Sequence, residues 1–474
     1  MTKEKLKKIF IIAVIIYTAL VVSFYFLAKD QLNYKTSNGN IVMPDSDSVT
    51  EEIGKDVSIA QTFTNNIDRI ESISIPLTKY YREGRGNLVI ELLDDKEVVL
   101  MRKKVDVQGI TDNNITVNFE NPITNYKGSK LTLLIYSENN TNTGIATLMN
   151  NTTAPAESRI RIGNRIVRGT LCFSVSGRDY SLVDDYYWYI MSALGVLLIL
   201  TLYASYKKYC NGKANYIVLA IMALYKYEFL ISQLVSRDFK SKYKRSILGV
   251  FWSFLNPLLT MTVQFLVFST FFKADTQNYP VYLLTGVVCF SFFNECTTMC
   301  LNSISGNARL ISKVYIPKYI FPLARTMSSS VNLGISLVPL LLSCIVLGVA
   351  LKPQALLFFF FLACLVVFAL GIGLFLSALM VFFRDIQFLW SVLIQIWMYA
   401  TPIFYPAEIV PEKYRFILRL NPLYHFIGNA RTCLMNGVSP EPRAYLFCLL
   451  FAVLSLFIGA YTFKKTQDKF ALYL

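Results

Sequence analysis

Charged residues are scarce in this sequence. Only 16% of the 474 residues are Asp, Glu, Lys or Arg and 54% are hydrophobic, whereas soluble domains are about one quarter charged. This scarcity excludes an ordinary soluble globular protein. The charges that remain are uneven in sign, with a net charge of +15.

The positive excess does not indicate a nucleic-acid-binding protein. Nearly all of it lies in short segments next to apolar runs, at positions 1–8, 205–249, 305–325 and 464–474. This distribution follows the positive-inside rule for membrane proteins. We therefore expect a membrane rather than a nucleic acid as the partner.

The sequence also lacks the cysteine and histidine spacing of a disulfide framework or a metal site. Of the nine cysteines, only Cys172 falls in the long polar segment, so that segment cannot close a bridge within itself. A metal site would need close pairs of Cys or His, and the single His425 is far from the cysteines in sequence. We interpret the cysteines as small buried hydrophobes and predict no metal.

A phosphate-binding GxxxxGK[ST] loop is missing as well. Gly54-Lys55 and Gly212-Lys213 are both followed by the wrong residues. Nothing in this chain is therefore expected to bind the phosphates of ATP by that route. If ATP is used, another chain must hydrolyse it.

Long apolar runs are the dominant feature that is present. Each is close to the roughly 20 residues that a membrane-spanning helix needs. We predict eight spans, at 9–28, 186–206, 247–272, 280–302, 326–351, 354–383, 386–407 and 444–463. The basic residues that flank these spans place both termini on the cytoplasmic side of a plasma or inner membrane.

Residues 29–185, between the first two spans, are polar and strand-like. Apolar residues alternate at Ile73, Ile75 and Leu77 and in three further stretches, with Gly, Asp and Asn turn signals between them. We predict an extracytoplasmic all-β domain, a jelly-roll-like sandwich. The fold class is thus a polytopic α-helical membrane protein with about eight spans and an inserted β domain.

Two further apolar segments are not predicted to span the membrane. Residues 216–236 are predicted to form an amphipathic helix in the membrane interface. Residues 408–443 are too apolar for a solvated loop and too interrupted to cross, so we predict a re-entrant segment at the outer side. The domains are therefore 1–28, 29–185, 186–206, an interface helix with a basic segment at 207–246, and a six-helix unit at 247–474.

A basic belt joins the interface helix to the third span. In RDFKSKYKRSILGVFWSFLNP at 237–257, five cations stand against the one acid Asp238 and stop abruptly before an uncharged run. Such a belt anchors a protein to an anionic leaflet and orients it.

Residues 215–474 resemble the permease subunit of ATP-binding-cassette exporters of cell-surface polysaccharide and teichoic acid. The resemblance is carried by RDFKSKYKRSILGVFWSFLNPLL, NARLISKVYIPKYIFPLA, FFRDIQFLW…YATPIFYP and NPLYHFIGNAR, which occur in the family's order. It covers just over half of the chain and leaves 1–214 unexplained.

The resemblance implies a homodimeric permease for a lipid-linked glycan, with ATP and Mg held by a separate ATPase subunit. It assigns gate and headgroup roles to Arg237, Lys240, Tyr243, Lys244, Arg245 and Trp252. In the loop 303–325 it assigns ATPase coupling to Asn307, Arg309, Leu310, Lys313, Tyr315 and Lys318. A plain positive-inside loop is the alternative there, although the apolar face that includes Leu310 and Tyr315 favours coupling.

Other residues are candidates for a channel or a subunit interface. Glu295 lies inside a span, where a charge costs about 2.5–3.5 kcal/mol, so it should face protein or water. Either a pathway role or a neutral hydrogen-bonded acid fits it. Arg384 and Asp385 fit an interfacial ion pair or a structural lock. The aromatic candidates for sugar stacking, most of which should be packing residues, are Trp397, Tyr399, Phe404, Tyr405 and Tyr424.

Four arginines cluster near the end of the β domain, at Arg159, Arg161, Arg165 and Arg168. A solvated strand edge is the default interpretation. A patch that contacts an anionic polymer is the sharper hypothesis.

Three rival functions are weighed against polymer export. An exporter of a smaller lipid or drug would share the helical unit. A membrane-anchored regulator or sensor would act through 1–210, but such regulators favour long outer helices and 29–185 shows none. A membrane glycosyltransferase would want acidic pairs in the first outer loop, 273–279, which offers only Asp275.

Overall fold

The computed structural model describes residues 2–37, 39–43, 45–54, 57–79, 86–108, 114–138, 143–152, 159–213, 215–243, 247–272, 278–314 and 316–473. The chain divides into two compact units. One is Asn33–Asp185, and the other combines Met1–Leu32 with Tyr186–Leu474.

The first unit is built from antiparallel strands. In chain order they are β1 Tyr34–Thr36, β2 Ile41–Val42, β3 Ser48–Val49, β4 Ile59–Thr64, β5 Arg69–Lys79, β6 Asn87–Leu93, β7 Val99–Asp106, β8 Asn114–Thr124, β9 Lys130–Ser137, β10 Ile145–Asn150, β11 Arg159–Ile162, β12 Arg165–Arg168, β13 Thr170–Leu171 and β14 Ser174–Tyr180.

These strands form two sheets. The larger has the order β1-β14-β5-β10-β13, with β2 on β14, β3 on β10 and β8 on β5. The smaller has the order β12-β11-β4-β9-β6-β7. Inward residues of both sheets, such as Ile73 and Ile75 of β5 and Leu131 and Leu133 of β9, share one hydrophobic core. The alternation in the sequence therefore predicted an all-β sandwich, and that prediction is confirmed.

The second unit is helical. Its helices are α1 Lys3–Asn33, α2 Leu182–Cys210, α3 Tyr216–Tyr243, α4 Phe251–Phe272, α5 Tyr279–Leu301, α6 Ala308–Lys313, α7 Ile320–Val346, α8 Phe358–Phe382, α9 Ile386–Ala400, α10 Arg415–Leu420, α11 Pro422–Arg431, α12 Pro442–Thr466 and α13 Phe470–Tyr473. Short 3₁₀ turns lie at Ser305–Asn307, Pro353–Leu357, Ala407–Ile409, Glu412–Tyr414 and Gln467–Lys469, and a π-helical turn at Thr432–Asn436.

Among the described residues, eight helices are long and apolar enough to cross a membrane: α1, α2, α3, α4, α5, α7, α8 and α12. Seven of them overlap spans predicted from the sequence. The predicted span 386–407 is wrong in its length, because α9 ends at Ala400 after 15 residues. Thr401 precedes Pro402 and adopts an extended conformation, since the proline ring disfavours helical geometry in the residue before it.

Helix α3 is longer than its predicted interface segment 216–236. It continues to Tyr243 without a break at Lys226 or Glu228. At about 1.5 Å per residue its 28 residues extend about 42 Å. The basic belt therefore begins within α3. The location of α3 in the membrane interface stays a prediction.

The largest core of the helical unit lies around α5 and α8. Helix α8 packs closely on α12 through two glycines. A Cβ added to Gly459 would lie 2.0 Å from the Gly371 carbonyl oxygen, and a Cβ added to Gly371 would lie 2.3 Å from the backbone of Ser455. Small residues at such crossings let helix backbones approach each other in membranes.

Candidate functional site

A polar cavity of about 630 Å³ lies where the last turns of α3 meet α5 and α7. Its lining is rich in charged and amide side chains, which is uncommon among apolar helices. The residues that line it are Arg237, Asp238, Phe239, Ser241, Lys242, Glu295, Met299, Gly306, Asn307, Arg325, Ser328 and Asn332.

Asp238 is the buried centre of one network, with a side chain that is only 4% exposed. Its Oδ2 lies 2.8 Å from Nη1 of Arg325, and its Oδ1 lies 3.2 Å from Nη2 of Arg237. Nη1 of Arg237 also donates to Oδ1 of Asn307 at 3.2 Å, and Asn307 donates to the Ser303 carbonyl. Two arginines thus share one carboxylate, and they connect α3 to α7 and to the turn before α6.

Glu295 of α5 is the centre of a second network in the same cavity. Its Oε1 lies 2.9 Å from Nζ of Lys242 and accepts a hydrogen bond from Asn332 at 2.6 Å. The carboxylate therefore faces the cavity and a cation. Counting the lining residues, three cations stand against two carboxylates, so the cavity carries a net positive charge.

The structure brings together residues that the sequence had assigned to three different roles. Arg237 was a gate candidate, Glu295 a channel candidate and Asn307 a coupling candidate, and all three line this cavity. Lys240 and Trp252 are exposed and do not line it. Three gate candidates lie outside the described residues: the side chain of Tyr243, and Lys244 and Arg245.

Sequence reasoning did not select Asp238, Lys242, Arg325 or Asn332 as members of the site. A signal was present on α7. Arg325, Ser328 and Asn332 recur at spacings of three and four residues, which places these polar side chains on one face of the helix.

The predicted coupling segment folds as α6 and its flanks. Arg309 and Lys313 are exposed, as is Val314. Leu310 and Ile311 are half-buried and pack against the core that contains Ile304 and Ile316. Two residues of the apolar face that was predicted for a partner, Leu310 and Ile311, therefore pack on the chain's own core, while Val314 stays exposed.

The remaining coupling candidates have other surroundings. Nζ of Lys318 donates to the Gln467 carbonyl at 2.5 Å and lies over the ring of Phe470 at 5.6 Å. Asn307 is buried beside Arg237. Tyr315 lies outside the described residues. Of the described members of the predicted set, Arg309 and Lys313 are left as exposed groups.

Two of the aromatic candidates are held by packing. Nε1 of Trp397 donates to Oδ1 of Asn421 at 2.8 Å, and Asn421 donates to the Thr401 hydroxyl at 2.9 Å. Phe404 is buried and stacks on Phe268 with 5.2 Å between ring centroids. These contacts fix the chain where it leaves α9.

The other aromatic candidates are more open. Tyr399 is exposed, and its carbonyl accepts a hydrogen bond from the Tyr405 hydroxyl at 2.8 Å. Tyr424 is half-buried and lines a second cavity, of about 650 Å³, together with His425, Asn429 and Arg431. The sequence alone did not separate the exposed rings from the packed ones.

Arg431, in the NAR motif at the end of α11, is buried and has no carboxylate within ion-pair distance among the described residues. Its guanidinium donates to three carbonyl oxygens, of Tyr282 at 3.1 Å, Pro402 at 2.7 Å and Ile403 at 3.0 Å. It also lies 3.4 Å from the centroid of the Tyr282 ring. Arg431 therefore fixes the segment that follows α9.

Two predicted charge features differ from expectation. Arg384 and Asp385 are both exposed at the turn between α8 and α9, and as the structure describes them they form no ion pair with each other. Of the four β-domain arginines, Arg165 points to the other side of its hairpin and lies 3.6 Å from Glu51. The other three stay together on one face.

Spanning helices that enclose a charged cavity define a class of multi-pass membrane proteins with a polar site among their helices. Residues 230–435 match the family described as ABC-2 type transporter. The chain belongs to this family, which confirms the resemblance seen in the sequence. Permeases of this family normally act with an ATPase subunit.

The names of similar proteins agree with this assignment. An O-antigen export system permease protein RfbA of Klebsiella pneumoniae is 30% identical over 244 residues, which cover 51% of this chain and 93% of the relative. RfbA of Myxococcus xanthus is 28% identical over 253 residues, or 53% and 97%. The polysialic acid transport protein KpsM of Escherichia coli is 21% identical over 241 residues, or 50% and 93%. The β unit lies outside the residues that match the family.

Proposed function

We propose that this chain is the permease subunit of an ATP-driven exporter that moves a lipid-linked polysaccharide or teichoic-acid-like polymer from the cytoplasm to the cell surface. The relatives named for O-antigen export and polysialic acid transport support this class of substrate. The observation that carries the proposal is the positively charged cavity at α3, α5 and α7. It lies within the residues that match the family.

The cavity has the chemistry that a phosphate on the lipid end of the polymer requires. Arg237 and Lys242 are partly exposed at its rim. An arginine has five N–H donors, and only some of those on Arg237 are used by Asp238 and Asn307. A phosphate can therefore bind Arg237 and Lys242 while the buried pair between Asp238 and Arg325 stays intact.

The same proposal assigns partners and orientation. Two copies of the chain form the channel, both termini lie in the cytoplasm and the β unit lies outside. Each copy binds one ATPase subunit, which holds ATP and Mg. The exposed groups of α6, Arg309 and Lys313, with Val314 beside them, offer the surface for that subunit. Because Asn307 joins this segment to Arg237, a movement of α6 would reach the cavity directly.

The test is to remove rim cations in cells that make the polymer. Arg237→Gln and Lys242→Gln each remove one charge-assisted contact. Such contacts contribute about 1.5–3 kcal/mol, or roughly tenfold or more in apparent affinity for the headgroup. We expect surface polysaccharide to fall and lipid-linked polymer to accumulate in the cytoplasm. Both are measured after fractionation, at equal amounts of membrane-inserted protein.

Lys240→Gln is the matched control, because Lys240 is an exposed cation of the same helix that does not line the cavity. It should leave export unchanged within about twofold, as expected for a screened surface charge. Unchanged export in Arg237→Gln and Lys242→Gln, or an equal loss in Lys240→Gln, would refute a headgroup role for the cavity.

A further inference from the structure

Three arginines lie together on the solvent-facing side of the smaller sheet. In the β11–β12 hairpin, Arg159 pairs with Arg168 and Arg161 pairs with Ile166. Directly paired residues of antiparallel strands point to the same side, and all four of these are exposed, Ile166 by 68%. Arg165 pairs with the buried Ile162 and so points to the opposite side.

Small residues beside these arginines leave a depression. Arg161 is paired with Ala60 on β4, and Thr62 is paired with Thr132 on β9. The two threonine hydroxyls lie 2.9 Å apart and are exposed. On the other side the turn after β6 supplies Asp94 and Glu97. Together these residues surround a cavity of about 290 Å³, near the lower end of the range of about 300–1,000 Å³ for ligand pockets.

In the described part of the unit, the guanidinium groups of this face form no ion pairs, although Asp94 and Glu97 also line the adjoining depression. Among the described residues, no carboxylate lies within ion-pair distance of Arg159, Arg161 or Arg168. Other cations of the unit have such partners: Arg165 lies 3.6 Å from Glu51, and Arg102, on the same sheet, lies 3.1 Å from Glu91. Like charges directly opposite each other destabilise a strand pair. An anion that bridges Arg159 and Arg168 would remove that repulsion.

We propose that this arginine face, Arg159, Arg161 and Arg168 with the adjoining depression, binds a segment of an anionic polysaccharide. The planar guanidinium fork matches a carboxylate or a phosphate with two parallel hydrogen bonds. Thr62, Thr132 and the carboxylates of Asp94 and Glu97 offer partners for sugar hydroxyls. A cavity of this size takes a short segment only, so binding is weak for each segment and sensitive to salt.

The inference rests on the proposed function for its biological meaning, since it names an anionic glycan as the class of polymer that the β unit meets. A purely protective role for charges on β12, the edge strand of the smaller sheet, is the competing explanation. Edge protection requires only charge, and lysine supplies charge as well as arginine does. Binding by the guanidinium fork requires arginine.

The experiment uses the purified full-length chain in detergent and a fluorescently labelled polygalacturonate oligosaccharide as probe, followed by anisotropy. A dextran oligosaccharide of equal length is the neutral control. We expect the polygalacturonate to bind and the dextran to bind at least about tenfold more weakly. The triple variant Arg159→Gln, Arg161→Gln, Arg168→Gln should lose at least about tenfold in affinity, and the corresponding triple Lys variant should be intermediate.

Arg165→Gln is the matched control, because it removes an exposed arginine of the same hairpin from the opposite side, and it should stay within about twofold. Equal binding by the triple Gln variant, or an equal loss in Arg165→Gln, would overturn the inference. Wild-type affinity in the triple Lys variant would also overturn it. So would a triple Gln variant that loses binding to vesicles of anionic phospholipid but keeps its binding to the oligosaccharide. Export in cells is measured separately, so normal export without probe binding would reject this site and leave the proposed function standing.

Discussion

At the scale of single residues, Arg431 shows how a cation can be stable in a core without a carboxylate. Helix α9 stops before Pro402, so the carbonyl groups of Pro402 and Ile403 have no partner in a helix. The guanidinium reaches both, and the carbonyl of Tyr282 as well. Gly286 makes room for it, since a Cβ there would lie 2.5 Å from Nη2 of Arg431.

Replacing this arginine tests that explanation. Arg431→Lys keeps the charge but loses the fork, so at least one of the buried carbonyls is left without a donor. We expect the free energy of unfolding to fall by about 1–3 kcal/mol, measured by thermal unfolding in detergent. Arg443→Lys is the control, because Arg443 is an exposed residue that lines the same second cavity. Equal melting temperatures for Arg431→Lys and wild type would contradict a clamping role.

The residues of the polar cavity were only partly predictable. Arg237, Glu295 and Asn307 each stood out in the sequence for a separate reason, a basic belt, a charge in a span and a motif. Arg237 is 58 residues from Glu295 and 70 from Asn307, and these separations gave no sign that the three residues meet. That convergence depends on how α3, α5 and α7 pack, which no local pattern encodes.

At the scale of elements, the crossing of α8 and α12 depends on two glycines at one point. Gly459→Ala would place a Cβ against the Gly371 carbonyl, and overpacking of this kind costs about 1–3 kcal/mol. We expect a lower melting temperature and helices that pack less closely. The measurement is thermal unfolding of the purified protein.

Gly334→Ala is a matched control within another helix of the same unit. A Cβ at Gly334 of α7 meets nothing within 4 Å, and alanine is favoured over glycine in a helix by about 1 kcal/mol. This variant should be neutral or slightly stabilising. If both variants behaved alike, the close approach of α8 and α12 would not be a determinant of stability.

In the β unit, a single carboxylate fixes the chain after β10. Asp47 accepts hydrogen bonds from the Thr152 hydroxyl, from the amides of Asn151 at 2.9 Å and Thr152 at 2.8 Å, and from the Ser48 hydroxyl. These bonds, led by the one from Thr152, hold the pKa of Asp47 well below its ordinary value of 3.8. The contribution to stability is therefore present above the unfolded pKa and is lost as the pH falls through the folded one.

Hydrogen exchange can measure that dependence. The protection factors of the Asn151 and Thr152 amides should be constant above about pH 5 and decline as the pH falls below about 4. Asp47→Asn removes the titrating group, so its protection factors should be lower and independent of pH in this range. A wild-type protein with pH-independent protection would contradict the role of Asp47.

The elements themselves were predicted with uneven success for physical reasons. The strands could be predicted because apolar residues that recur with a period of two indicate a sheet with one buried face, as in β5. The end of α9 was missed because hydropathy continues past Pro402 although the helix does not. For α3, Lys226 and Glu228 interrupt the hydropathy without interrupting the helix.

At the scale of the whole molecule, the chain combines a helical unit, whose residues 230–435 match the ABC-2 type transporter family, with a β unit outside that match. The two ends of the β unit are adjacent. Tyr34 of β1 pairs with Tyr180 of β14, and the Ser181 amide donates to the Asn33 carbonyl at 2.8 Å. Directly paired residues of antiparallel strands have Cα atoms about 4.5–5.5 Å apart, so a very short linker can replace the strands between them.

Excision of residues 35–179 with a Gly-Ser linker of about three residues, which reaches roughly 10 Å, therefore separates the roles of the two units. The helical unit has its own cores and should remain folded, with unchanged thermal unfolding and unchanged binding of the proposed ATPase subunit in a pull-down. If the β unit contacts the outgoing polymer, surface polysaccharide should fall or change in chain length while ATPase binding is preserved. A variant that still displays polymer of normal amount and length would show that the β unit has no part in export, whereas one that no longer inserts or binds the ATPase would show that the two units fold as one.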